Sequence, residues 1–185
     1  MSDILLATKI HIPPLHRNLV NRTRLVQQLN DGVPQSRLTL ISAPAGYGKS
    51  TLLGEWISQI STPVAWLSLD NGENVPARFW TCFIPVLNAI PQVQQAGIGE
   101  SLSQVLDSSQ PVSIEAQLNQ LVNDLSGLEE RVVLILDDLH TITETRIHQD
   151  LAYLIDHLKL SAGGLHLVVA GRMDPLTAGT LAATR

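Results

Sequence analysis

This 185-residue chain has a single cysteine, Cys82. That excludes a disulfide framework and a zinc cluster built on thiolates. Its six histidines show no H-E-x-x-H or comparable ligand spacing, and they read as structural or surface residues. Nowhere do lysines and arginines run together, and the balance is acidic, with a net charge of −5. A chain so charged is a poor ligand for the phosphate backbone of a nucleic acid. No apolar stretch reaches membrane-spanning length, and the Met-Ser-Asp start is polar rather than a secretory signal. A reducing, cytoplasmic setting is the expectation. What the chain has in quantity is apolar side chains, 44% of residues, enough for one sizeable core.

The most informative segment begins at Leu38-Thr39-Leu40-Ile41, which reads as a buried strand. It breaks into Ser42-Ala43-Pro44-Ala45-Gly46-Tyr47-Gly48-Lys49-Ser50-Thr51, a glycine loop ending in Gly-Lys-Ser. This is the phosphate-binding P-loop pattern, with Ala43 standing where the first glycine is usual. Gly46 and Gly48 remain where the backbone must approach phosphate. In such a loop the N–H groups from Ala45 to Thr51 face the β-phosphate, Lys49 reaches the β and γ oxygens, and the Ser50 hydroxyl ligates Mg²⁺. Behind it Leu52, Leu53, Trp56, Ile57 and Ile60 form the apolar stripe of a helix, whose positive dipole end faces the same anion.

The other elements alternate. A short helix is expected over Thr23 to Asn30, after an extended arm carrying Pro13-Pro14. A second strand is expected over Val64–Asp70, then a helix from about Pro76 to Ala89 that Pro85 should kink or break. Pro91 to Gln110, rich in Gln, Gly and Ser, is the least patterned stretch. An amphipathic helix follows from Ile114 to Leu125, then the continuous apolar run Val132–Leu136 of a central parallel strand. Thr141 and Glu144 read as a capping box for a helix through Leu158, and Leu165–Ala170 as a further buried strand. The order implies an α/β fold with a parallel sheet and right-handed crossovers.

Two more candidate sites lie at strand ends. Val132–Leu136 runs into Asp137-Asp138, as a Walker B element does. Asp137 would hold Mg²⁺ beside Ser50, and Asp138 would orient or deprotonate the attacking water. Taken alone, the pair also suits a solvated strand end. Arg172 follows the last strand, placed to meet a γ-phosphate by charge-assisted hydrogen bonds. The bland alternative is a surface arginine paired with Asp174.

These sites, in this order and with a strand between the first two, resemble the STAND class of signalling ATPases. Thr8-Lys9-Ile10, Leu19-Val20-Asn21-Arg22-Thr23-Arg24-Leu25, the P-loop and Trp66-Leu67-Ser68-Leu69-Asp70 narrow the likeness. So do Asp137-Asp138-Leu139-His140, Ile147-His148 and Leu165-His166-Leu167. They are similar to the MalT-like, LuxR-type large ATP-binding transcriptional regulators. The resemblance implies a P-loop NTPase three-layer sandwich with strand order 5-1-4-3-2, the fifth strand lying beyond Arg185 and the P-loop strand at an exposed edge. It implies an arm and adenine-contacting segment over residues 1–30, and an ATPase core from 31 to 185. Winged-helix, sensor and DNA-binding parts would lie outside this chain. Val20 and Arg22 would contact adenine and ribose, and Arg172 would be the sensor arginine. Asn21 stands where many relatives carry glycine. The implied function is an ATP/ADP·Mg²⁺ switch with slow hydrolysis, governing self-association and DNA binding of a longer protein. A turnover ATPase or kinase is the alternative, though no second-substrate motif is visible; a bare interaction module is another.

Overall fold

The four apolar runs are four strands: β1 (Leu38–Ser42), β2 (Val64–Ser68), β3 (Arg131–Asp137) and β4 (Gly164–Gly171). The computed structural model describes residues 9–14, 20–107, 114–160 and 163–172. Thr8, Leu19, Asp174, the end of the Pro91–Gln110 stretch and the expected fifth strand lie outside them. The strands pair in parallel in the order β1-β4-β3-β2, which matches four positions of the expected 5-1-4-3-2.

Side chains alternate across the sheet because a strand's period is two residues. Val132, Leu134, Leu136, Leu165, Leu167 and Val169 join the larger core on one face. Val133, Ile135, Val168 and Ala170 face the other way and join a smaller one. Since both faces are covered, β3 and β4 read as unbroken apolar runs instead of alternating ones. The smaller core is roofed by α1 (Thr23–Gly32) and α2 (Lys49–Ile57), through Val26, Leu29, Leu52, Leu53 and Trp56. The larger lies under α3 (Pro76–Leu87), α4 (Pro91–Gln95), α5 (Glu100–Asp107), α6 (Ile114–Ser126) and α7 (Thr145–His157).

Several elements depart from the sequence reading. β1 is half exposed rather than buried, with Leu40 42% accessible, because among the described residues it stands at the sheet edge. Helix α3 runs through Pro85 without a break. Pro85 and Thr81 are both exposed, so the carbonyl that lacks the Pro85 N–H lies on the solvent side. Thr141 and Glu144 do not form a capping box. Thr141 belongs to a 3₁₀ turn over Leu139–Thr141, and its hydroxyl donates to the Asp138 carbonyl at 2.9 Å. Glu144 is itself the N-cap, accepting from the Arg146 N–H at 3.1 Å. Asn74 Oδ1 takes the Thr143 and Glu144 N–H groups at 2.8 Å each, so the helix start is set by a distant residue. The Gln/Gly/Ser stretch contains α4 and α5, held by buried Val93, Ile98 and Leu102.

The arm is fixed by charge. Lys9 Nζ meets the buried Glu73 carboxylate at 2.5 Å and Asp70 at 3.0 Å. Burial pulls the Lys9 pKa down, but the two carboxylates outweigh it and the net shift is upward. The Gly72 N–H, and after it Lys9, hold Asp70 below the usual carboxylate range.

His166 is fully buried on β4. Its Nδ1–H donates to the Ser36 carbonyl at 2.8 Å, which leaves Nε2 to accept from Thr39 Oγ1 at 3.0 Å. Burial, with Arg131 nearby, pushes its pKa down to about 4 from 6.5. The unfolded chain therefore binds a proton that the native state refuses. Stability is complete above about pH 6.5 and falls as pH drops toward 4, by about 3 kcal/mol for this group. Urea unfolding across that window checks this: His166→Gln should flatten the slope.

Candidate functional site

In a parallel sheet all strand C-termini lie on one edge, where α/β proteins bind ligands. Here Ser42 at the end of β1 is paired with Gly171 of β4, and Asp137 ends β3 on the next strand. The P-loop leaves β1 and turns into α2. Gly46 and Gly48 take φ of +81° and +74°, a conformation that side chains with a Cβ rarely adopt. The Lys49 side chain curls over its own loop, with Nζ donating to the Ala43 carbonyl at 2.9 Å and Pro44 at 3.4 Å. Ser50 Oγ donates to Asp137 Oδ2 at 2.7 Å, so the P-loop hydroxyl and the β3 carboxylate meet across the strand between them.

Asp137 is 4% exposed, and burial raises its pKa against the hydrogen bond from Ser50. Its other oxygen accepts the Asp138 N–H at 3.0 Å. Asp138 takes φ +59°, the one non-glycine residue with positive φ among the described residues. Such strain persists only where the surroundings enforce it, and it gathers at functional sites. The Asp138 side chain, half exposed and 3.6 Å from His140 Nδ1, lines a cavity of about 390 Å³. Ala45, Gly46, Gly48, Lys49, Ser50, Thr51 and Arg172 line the rest. The structure thus brings all three sequence-predicted catalytic residues, Lys49, Asp138 and Arg172, to one cavity.

The two residues expected on the adenine side divide. Arg22 Nη1 donates to the Tyr47 carbonyl at 2.8 Å. With Leu25, Leu40, Tyr47 and Lys49 it lines an adjoining groove of about 340 Å³ between α1 and β1. Val20 is 85% exposed and lines neither space. Asn21 does not take positive φ, so no glycine is needed at this position of the backbone. Tyr47 itself is 64% exposed, and its contribution to Arg22 is a backbone carbonyl. Sequence reasoning missed Glu55, which meets Arg22 from α2, and the Lys9 clasp. No local spacing announces contacts between such distant segments.

Among the described residues no group of three or more His, Cys, Asp or Glu is arranged to hold a metal. The donor chemistry at Ser50 and Asp137, a hydroxyl and a carboxylate 2.7 Å apart, nevertheless suits Mg²⁺, which takes oxygen ligands, and these two residues would hold it.

A family model described as "AAA ATPase domain" matches residues 18–169. The chain belongs to the AAA ATPase domain family. It is 34% identical over 154 residues to the HTH-type transcriptional regulator MalT of Yersinia enterocolitica, covering 83% of this chain and 16% of that protein. With the MalT of Cronobacter sakazakii it shares 33% identity over 174 residues, 93% of this chain and 18% of the other. The chain therefore spans less than a fifth of these regulators. Among solved structures, a Walker-type ATPase of Pyrococcus abyssi superposes with a TM-score of 0.54 at 16% identity, over 95% of this chain and 52% of its own. Cdc6p from Pyrobaculum aerophilum gives 0.50 at 20% identity, over 92% and 45%. These likenesses establish the P-loop NTPase fold. Among the described residues no helix is long and apolar enough to cross a membrane.

Proposed function

We propose that this domain is the nucleotide switch of a cytoplasmic transcriptional regulator, binding ATP or ADP with Mg²⁺ and hydrolysing ATP slowly. The observation that carries the reading is the convergence of Lys49, Ser50, Asp138 and Arg172 on one cavity at the sheet's C-terminal edge, with Ser50 hydrogen-bonded to Asp137. The similarity to MalT regulators supports the regulatory context.

In this reading the N–H groups of Ala45 to Thr51 cradle the β-phosphate. Lys49 exchanges its loop carbonyls for phosphate oxygens, and Arg172 meets the γ-phosphate from β4. Ser50 and Asp137 hold Mg²⁺, which when bound neutralises charge on the phosphate oxygens. Asp138, facing the cavity from its left-handed backbone, orients water or takes its proton. Arg22, which lines the adjoining groove, serves the adenosine end, whereas Val20, exposed and outside both spaces, is given no contact. The bound nucleotide then sets self-association, and DNA is met through parts of the protein outside this chain. No role at a membrane is assigned.

Slow turnover separates this switch from a turnover ATPase or kinase. Phosphate release from Mg·ATP should stay well below about one per second, under the usual enzyme range. Turnover above that rate would favour the enzyme. Asp138→Asn keeps a residue that tolerates positive φ and removes the base. It should slow hydrolysis about a hundredfold while ADP affinity is retained.

A further inference from the structure

Helix α1 opens without a cap of its own. Arg22 holds the N-cap position at φ −109°, ψ 50°, with no side-chain cap and no acidic residue in the first turn. The Arg22 N–H is met instead by Glu55 of α2, whose Oε1 and Oε2 lie 3.3 and 3.4 Å from the nitrogen. Glu55 is 8% exposed, so a buried carboxylate faces the uncapped, electropositive start of α1.

Arg22 is held at two further points. Its carbonyl accepts the Leu25 and Val26 N–H groups at 2.9 and 3.0 Å, which begins α1. Its guanidinium lies over the phosphate loop, with Nη1 on the Tyr47 carbonyl at 2.8 Å. Nη2 sits 3.0 Å from where a Cβ on Gly48 would stand. Arg22 therefore links the P-loop, the P-loop helix and α1. It lines the groove that meets the phosphate cavity at Lys49.

We propose that Glu55 is a positioning residue: by holding the Arg22 backbone from the P-loop helix, it sets the Arg22 side chain as the wall against which the nucleoside end of a nucleoside di- or triphosphate rests. The proposal rests on the nucleotide-binding reading above. Since α2 also carries Lys49 and Ser50, the wall and the phosphate cradle share one rigid support. A simple cap for α1 would stabilise the fold alone; a positioning residue must separate the two ends of the ligand.

Two measurements test it. Amide hydrogen exchange of Arg22 is followed without ligand. Calorimetry with Mg·ADP and with inorganic tripolyphosphate, which has no nucleoside, is run on wild type, Glu55→Gln and Glu55→Met. Glutamine keeps an acceptor oxygen, whereas methionine keeps the bulk without one; Glu55→Ala replaces Met if that variant does not fold. The expected result is a protected Arg22 amide in wild type and Glu55→Gln, and lost protection in Glu55→Met. ADP affinity should fall about tenfold in Glu55→Met, with tripolyphosphate affinity within about twofold of wild type. Glu55→Gln should restore ADP binding. Unchanged ADP affinity, equal losses for both ligands, or an unprotected wild-type amide would overturn the proposal alone. Wild type binding neither ligand would overturn the nucleotide reading and this proposal with it.

Discussion

Lys49→Ala is expected to weaken Mg·ADP binding by about a hundredfold, on the order of 3 kcal/mol, the scale of losing charged hydrogen bonds. The stability cost should be small, because the bonds Lys49 makes in the protein are to loop carbonyls, Ala43 at 2.9 Å and Pro44 at 3.4 Å. Those carbonyls belong to a partly exposed loop that water can reach. The residue is 9% exposed and curled over the cavity floor, so its ammonium is already within the space a phosphate would take. Lys49→Arg should not rescue it, since a planar fork on a longer stem does not fit a point-charge site beneath a tight loop. Calorimetry gives the affinity, and a thermal melt confirms that the fold is intact. An alanine variant that binds ADP like wild type would remove the P-loop from the account.

The second large effect concerns stability. Phe83→Ala should destabilise the domain by about 3–5 kcal/mol, the usual range for a phenylalanine deleted from a tight core. Phe83 is completely buried, and its ring lies 4.9 Å from Trp80 and 5.9 Å from Phe79, while Phe79 and Trp80 are 5.3 Å apart. The three rings of α3 fill the larger core against the sheet, so their contacts are lost together rather than absorbed by relaxation. For a domain of this size the melting midpoint should fall by about 10 °C. Because α2 and the phosphate loop pack on the opposite face, ADP affinity measured well below the transition should stay near wild type. A midpoint shift of only a degree or two would mean that the core closes around the missing ring.

The chain's own pattern carried the sheet. The apolar runs of β3 and β4 look the same in sequence and structure, since both faces of these strands are dry, whereas β1 is partly exposed. The P-loop was legible for a different reason: Gly46 and Gly48 are demanded by φ values that few other residues take. Asp137 was legible through its position at the end of such a run, and Ser50 through its loop. What escaped was long-range. Asn74 decides where α7 begins, so the local Thr141/Glu144 spacing misled. Pro85 misled because its missing bond falls on the exposed side of α3 near the helix end. The positive φ of Asp138 has no sequence mark, as aspartate is at home in extended and turn conformations alike. Helices α4 and α5 are short and polar on one side, and they fold by anchoring a few apolar residues in a core contributed mostly by others.

The most direct measurement is a calorimetric titration of the wild-type chain with Mg·ADP, followed by Mg·ATP and Mg·GDP. The account predicts saturable one-to-one binding of ADP and ATP with a micromolar or tighter Kd. Flat titrations with both adenine nucleotides, from a chain whose thermal melt shows it folded, would contradict it.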